Sequence, residues 1–422
     1  MTSRERVIAA LEHKEPDRVP VDLGAMLSTG IMGMAYNKLK AYLGISGGRT
    51  QMYDLGQQLA EPEIEILERI GADVLPLFIS EPQKWKPSKL PDGSSCEVPE
   101  WFNPEVLPDG SQVLRDGAGR ITAKMPKDGY YFDGVYHPLE SISTIEELER
   151  HNFYSPIDEA TLNDLHERAK ILYETTDYAL MLNGAGGIYE WAQGLRGWDV
   201  FMMDLAGNPE FAGALLDKLV EANIKRLEQL LPVVEGYVQV VQTGDDLGMQ
   251  SGPQLSPKLY REVVKLRHKR LYQYIKEHTS AYVFIHTCGS VYEFIPDFIE
   301  MGIDALNPVQ VSAKDMDTRR LKREFGKEIT FWGGGCDTQR VLPFGTPSEV
   351  EEEVNKRINH LAPGGGFVFT QVHNIQAGTP PENIMAMYDA VKSFGKYRKV
   401  DKTANPKAEK EKLIHQISRL PR

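Results

Sequence analysis

His286, Cys288 and Cys336 are the side chains best suited to chemistry in this chain, because of where they stand. The first two lie in YVFIHTCG and the third in FWGGGCDT, each at the end of an apolar, strand-like run. Side chains two apart on a strand point the same way, so His286 and Cys288 are expected to project together from one strand end. Three glycines before Cys336 allow a sharp turn, which would deliver its thiol from a second strand end. One imidazole and two thiolates suit zinc. Three protein ligands leave a fourth position open, as catalytic rather than structural zinc requires. The plainer alternative is a core histidine with two inert buried cysteines.

Other polar residues are expected at neighbouring strand ends. Asp245 and Asp246 follow VQVVQTG. Either could bond substrate, orient His286 or complete the zinc shell. The competing role is to cap a helix. Glu190 follows LNGAGGIY and could be a fourth zinc ligand or a proton donor, against an ordinary first-turn acid. Asn307 and Gln310 in ALNPVQ are candidates for binding substrate, as is His373 in FTQVHN, where a satisfied structural histidine is the alternative.

These residues need a scaffold that brings many strand ends together. Apolar runs at 19–24, 72–78, 178–184, 237–246, 282–288, 303–310, 329–335 and 367–374 read as strands. Helix-like segments lie between the later ones, at 209–230, 256–278, 291–301, 314–326 and 347–361. The strands are apolar on both faces, as in a parallel sheet covered by helices. Alternation of this kind gives an open doubly wound sheet or a (β/α)8 TIM barrel. There is no GxGxxG, and metal-type residues recur at the C-terminal ends, so the α/β class is read as a barrel.

An N-terminal helix, capped by Thr2 or Ser3, precedes the first strand, and residues 31–70 read as mostly helical. Asp-Gly pairs recur through 85–140, which marks a β-hairpin insertion placed to cover the barrel mouth. Its Trp85, Trp101, Tyr130, Tyr131 and Phe132 would line a lid or form a small core of their own. GAGG at 184–187 and PGGG at 363–366 read as barrel turns, since no P-loop lysine follows. Residues 1–398 are read as one decorated barrel and 399–422 as a Lys- and Glu-rich tail.

The 422 residues carry a net charge of -12, which argues against nucleic acid as a partner. No run approaches a membrane span, and the opening MTSRERVIAALEHKEPDR lacks a signal-type apolar stretch. Three cysteines make no disulfide framework and fit a reducing compartment, so a cytoplasmic location is expected. A homo-oligomer is compatible with the sequence.

RERVIAALEHKEPDRVPVDLG, TGDDLGMQSGPQLSPKLYREVV and HTCGSVYEFIPDFIEMGIDALNPVQ resemble segments of the uroporphyrinogen decarboxylase superfamily, over most of the chain outside the insertion and tail. The resemblance implies a single (β/α)8 barrel. True decarboxylases of this superfamily use no metal and hold their substrate's carboxylates with an arginine-rich N-terminal segment. The corresponding LGAMLSTGIMGMAYNKLK has no arginine. The other branch comprises zinc-dependent, corrinoid-linked methyltransferases with a His-x-Cys pair and a distant Cys, which His286, Cys288 and Cys336 match. Within that branch the long N-terminal insertion and the DDLGMQSG segment look more like the demethylating type, which implies an enzyme that demethylates a methoxylated, preferably aromatic, small molecule and passes the methyl group to cob(I)alamin on a partner corrinoid protein. The alternatives are a methylcobamide:thiol methyltransferase of coenzyme M type and a decarboxylase-like lyase.

Overall fold

The apolar runs form the sheet at the centre of the computed structural model, which describes residues 1–397. Strands Val74–Leu77, Ala179–Leu182, Val240–Gly244, Tyr282–His286, Ala305–Asn307, Thr330–Trp332 and Phe367–Val368 lie side by side in chain order, all parallel. Residues 19–22 close the gap between the first and last of them. Phe369 N–H donates to Pro20 O and Asp22 N–H to Phe369 O, each at 2.8 Å, while Asp73 N–H donates to Val21 O at 2.7 Å. The sheet is therefore a (β/α)8 barrel with one very short stave.

Charge fastens that seam. Asp73 has no exposed surface. Its carboxylate accepts from Arg6 at 2.6 Å, Arg18 at 2.7 Å and Val21 N–H at 2.8 Å. Burying a carboxylate costs little when every lone pair is met this way.

Strand alternation sorts the side chains into two layers. Val74, Ala179, Met181, Val240, Phe284, Ala305, Trp332 and Val368 fill the barrel interior. Val7, Ala10 and Leu11 join this cluster from the helix Ser3–Leu11, whose Thr2–Glu5 capping box fixes its start. Arg4 N–H donates to Asp177 O, and Ala10 O accepts from Gly366 N–H. Both partners precede strands, so this helix stoppers the N-terminal end of the barrel. The outward side chains pack beneath helices that include Glu159–Thr175, Pro209–Val234, Lys265–His278, Pro347–Leu361 and Pro381–Phe394.

Residues 31–70 differ from the helical expectation. Helices Gly33–Tyr42 and Ile64–Ile70 are present, but Ile31–Met32, Met52–Asp54 and Leu59–Ala60 form a three-stranded sheet between and beside them. Strands this short carry no alternation to recognise. The insertion is a hairpin, Trp85–Lys89 with Ser95–Pro99, followed by a four-stranded antiparallel sheet from Glu105 to Gly134. Tyr131 leans on the loop after the last barrel strand. Its hydroxyl donates to Asn374 Oδ1 at 3.2 Å and accepts from Gln376 Nε2 at 2.7 Å.

No helix among the described residues is long and apolar enough to cross a membrane. The tail 399–422 lies outside the described residues.

Candidate metal centre at the barrel mouth

Tyr282–His286 turns Phe284 into the barrel core, and His286, two residues on, follows it to the C-terminal mouth. His286 Nε2 lies 3.4 Å from Cys288 Sγ. His373 arrives from the loop after Phe367–Val368. One ligand atom each from His286, Cys288 and His373 fall within 4.8 Å of one another.

The second nitrogen of His286 is held from behind. Its Nδ1 is 2.7 Å from Asn307 Oδ1. The amide's direction is set because Asn307 Nδ2 donates to the Trp332 carbonyl at 2.8 Å, so Oδ1 is left to accept from His286 and from the Ser28 hydroxyl. Nδ1 therefore carries a proton, and Nε2 is the nitrogen turned toward the cavity, the arrangement a metal ligand needs. Asn307, expected to touch substrate, is fully buried with both amide ends engaged, and it positions His286 instead.

Gln310 likewise works on the loop rather than at the cavity. It accepts from Gly289 N–H at 2.7 Å and donates to Gln250 at 2.6 Å. Gly289 has φ +85°, and a Cβ there would strike the backbone of Gly248. The Cys288 loop can thus lie flat on the GDDLG segment. Asp246 Oδ1 accepts from Cys288 N–H at 2.7 Å and stands 3.6 Å from His286 Nε2.

Asp245 follows its capping alternative. It is 1% exposed, and it accepts from Ile188 N–H at 2.7 Å, Glu190 N–H at 2.8 Å and His268 Nε2 at 2.9 Å. With its oxygens occupied it secures the start of the helix Tyr189–Arg196, and so sets Glu190. His268, which the sequence analysis passed over, continues the chain to the Tyr260 hydroxyl at 3.2 Å. Its spacing from Val264, Leu271 and Ile275 puts it on the buried face of its helix, the signal that could have found it.

Glu190 reaches the cavity, yet enough protein surrounds it that desolvation, then the Asp246 and Asp245 carboxylates, raise its carboxyl to about 8. With no cation beside it, that value favours the protonated form at neutral pH. Burial, then the neighbouring His286, lowers His373 to about 4, so this ring is neutral and free to coordinate. Burial first, then Asp246 and Glu190, pushes the Cys288 thiol up. A divalent cation would offset these penalties, and the nitrogen and sulfur donors fit a borderline-soft one such as zinc.

Cys336 is not brought to this set. It is fully buried, and the charges acting on its thiol are Glu353, Asp337 and Arg357. Glu353 and Arg357 belong to the outer helix Pro347–Leu361. Gly333 and Gly334 take φ values of +125° and +70° straight after Trp332, so the expected sharp turn is present, but it leaves the Cys336 thiol in the outer core.

The cavity over the centre has a volume of about 850 Å³. His286, His373, Glu190 and Asp246 line one part of it, with Tyr53, Phe78, Trp85 and Trp191 as its aromatic walls. The Tyr53 and Phe78 rings stack at 5.1 Å. Of the other insertion aromatics, Trp101 is 70% exposed, Tyr130 40% exposed, and Phe132 packs edge-on against Phe102.

Titratable groups gathered at the C-terminal strand ends of a closed parallel barrel define the enzyme architecture of that fold. The model of the uroporphyrinogen decarboxylase (URO-D) family matches residues 135–394, more than half of the chain, and the chain belongs to that family. No curated protein matches it. Among solved structures, a methyltransferase from Methanosarcina mazei is 19% identical with a TM-score of 0.58, covering 93% of this chain and 99% of that one, a likeness of fold. A GH113 beta-1,4-mannanase reaches a TM-score of 0.34 at 14% identity, over 56% of this chain and 79% of that one. Such a score carries no argument.

Proposed function

We propose that this chain is a zinc-dependent methyltransferase that removes the methyl group of a methoxylated small molecule, preferably an aromatic ether, and passes it to cob(I)alamin on a separate corrinoid protein. The observation that carries the reading is the convergence of His286, Cys288 and His373 at the barrel mouth. These three residues would hold the metal. Zinc would serve there as a Lewis acid, easing the departure of the ether oxygen.

The chain's own residues do the rest. Asn307 keeps the His286 proton on Nδ1. Asp246 fixes the Cys288 backbone. Glu190 lines the cavity beside Asp246 and supplies the proton that the departing oxygen takes up. Tyr53, Phe78, Trp85 and Trp191 offer flat apolar faces to an aromatic ring. Residues 85–140 act as an insertion that shapes access, on a barrel spanning 1–398.

The cavity's charge supports this reading over decarboxylation of a porphyrinogen-like polyacid. Asp54, Glu61, Glu81, Glu190, Asp245 and Asp246 line it against Arg226 alone among the arginines. The test is metal analysis of the purified chain and of Cys288→Ala, followed by methyl transfer from a panel of methoxylated aromatics to a reduced corrinoid protein. Zinc near one per chain, lost in the variant together with transfer, is expected. Equal activity with and without metal would overturn the reading.

A further inference from the structure

Arg226 reaches the cavity from the helix Pro209–Val234. Other half-buried or buried arginines nearby are bonded to the fold. Arg168 donates to Phe78 O, Ile79 O and Glu81, Arg196 to Asp204 and Ile142 O, and Arg267 to Asp217 and Val263 O. Arg226 has no hydrogen bond or ion pair with any described residue, and burial is the sole influence on its guanidinium, lowering its pKa. An arginine stays charged regardless, so this cation is partly desolvated without a counter-charge.

The carboxylates of the cavity do not supply one. Glu81 pairs with Arg168 at 3.0 Å, and Asp245 is occupied by backbone amides and His268. Asp54 responds to burial and the Gln57 amide, Glu61 to burial and Glu81, and Glu190 to burial, Asp246 and Asp245. Arg226 acts on none of these three. The cavity therefore carries, beside its acids and the metal set, one guanidinium that no described residue pairs.

We propose that Arg226 is the anchor for a carboxylate group carried by the small-molecule substrate, so that the substrate class is a methoxylated carboxylic acid. The planar fork of a guanidinium matches a carboxylate with two parallel hydrogen bonds. A single arginine suits a single carboxylate. The inference rests on the cavity being the substrate site of the proposed function.

Calorimetric titration with 3-methoxybenzoate and its neutral counterpart 3-methoxybenzamide tests it, on the wild type, Arg226→Gln and Arg226→Lys, each checked for an unchanged melting curve. Loss of a charge-assisted pair should weaken benzoate binding by about ten-fold or more in Arg226→Gln. Benzamide binding should stay level, and Arg226→Lys should fall between. Equal benzoate affinity in wild type and Arg226→Gln, an equal loss for both probes, or no benzoate binding to the wild type would each overturn the proposal. Binding needs no corrinoid partner and no turnover. A chain that holds benzoate through Arg226 but transfers no methyl group would keep this inference and lose the functional one.

Discussion

Replacing Asn307 by alanine separates the metal centre's orientation from its mere presence. Asn307 serves three partners at once: His286 Nδ1 at 2.7 Å, the Ser28 hydroxyl at 2.8 Å and the Trp332 carbonyl at 2.8 Å. The alanine variant leaves the hydroxyl and the carbonyl buried without partners, which at ~1–3 kcal/mol each amounts to ~3 kcal/mol of lost stability. With an unfolding entropy of ~2.1 cal/mol/K per residue over 422 residues, that lowers the melting temperature by ~3 °C. Zinc affinity should fall by ~10–100-fold, because the His286 ring is released to rotate and change tautomer. Competition against a chromophoric chelator measures the affinity. Ser28→Ala is the control, since it removes one bond to Asn307 and none to His286. Asn307→Ala holding zinc as tightly as the wild type, or Ser28→Ala losing as much affinity as Asn307→Ala, would refute the reasoning.

Three further outcomes are expected. His373→Ala should strip the metal and Cys336→Ala should retain it, as read by metal analysis of the two purified variants; the opposite pattern would return Cys336 to the ligand set. Asp73→Ala removes the buried carboxylate between Arg6 and Arg18 at the barrel seam, leaving Arg6 to Asp17 and Arg18 to backbone carbonyls, a loss of ~3 kcal/mol that chemical denaturation would register. Asp17, hydrogen-bonded by Arg6, titrates at about 2 when folded, below the ~3.9 of an unfolded chain. A depressed folded value gives stability above the unfolded pKa that is lost as pH falls through the folded one. Melting curves between pH ~4 and ~2 should therefore fall less steeply for Asp17→Asn than for the wild type. Asp17 is half-exposed, so the difference should be small.

The barrel was legible because its staves are apolar runs flanked by amphipathic helices, and such runs keep their meaning without knowledge of their neighbours. His286 and Cys288 were legible for the same reason, as a period-two pair on one strand. What escaped depended on contacts between strands or on breaks in the period. Asn307 pairs in register with His286 on the adjacent strand, a fact that requires the strand order as well as the strand. The turn at Gly333 and Gly334 was expected, but the direction in which it leaves the Cys336 thiol depends on backbone angles that a sequence does not carry. His373 was legible as a site residue from its place at a strand end, but the strand Phe367–Val368 is only two residues long, so nothing in its period aimed the ring at His286. Arg226 was passed over, since a missing partner cannot be read from a sequence.

The stopper formed by Ser3–Leu11 bears on the order of events. Val7, Ala10 and Leu11 fill the far end of the barrel with apolar side chains, so traffic to His286 passes through the cavity at the opposite end. A small molecule and a protein-borne cofactor would share that one doorway. Once the larger reactant sits over the entrance, the smaller can neither enter nor leave. Steady-state kinetics should then show a compulsory sequence, with the small molecule first, and excess macromolecular partner should inhibit by sealing empty enzyme.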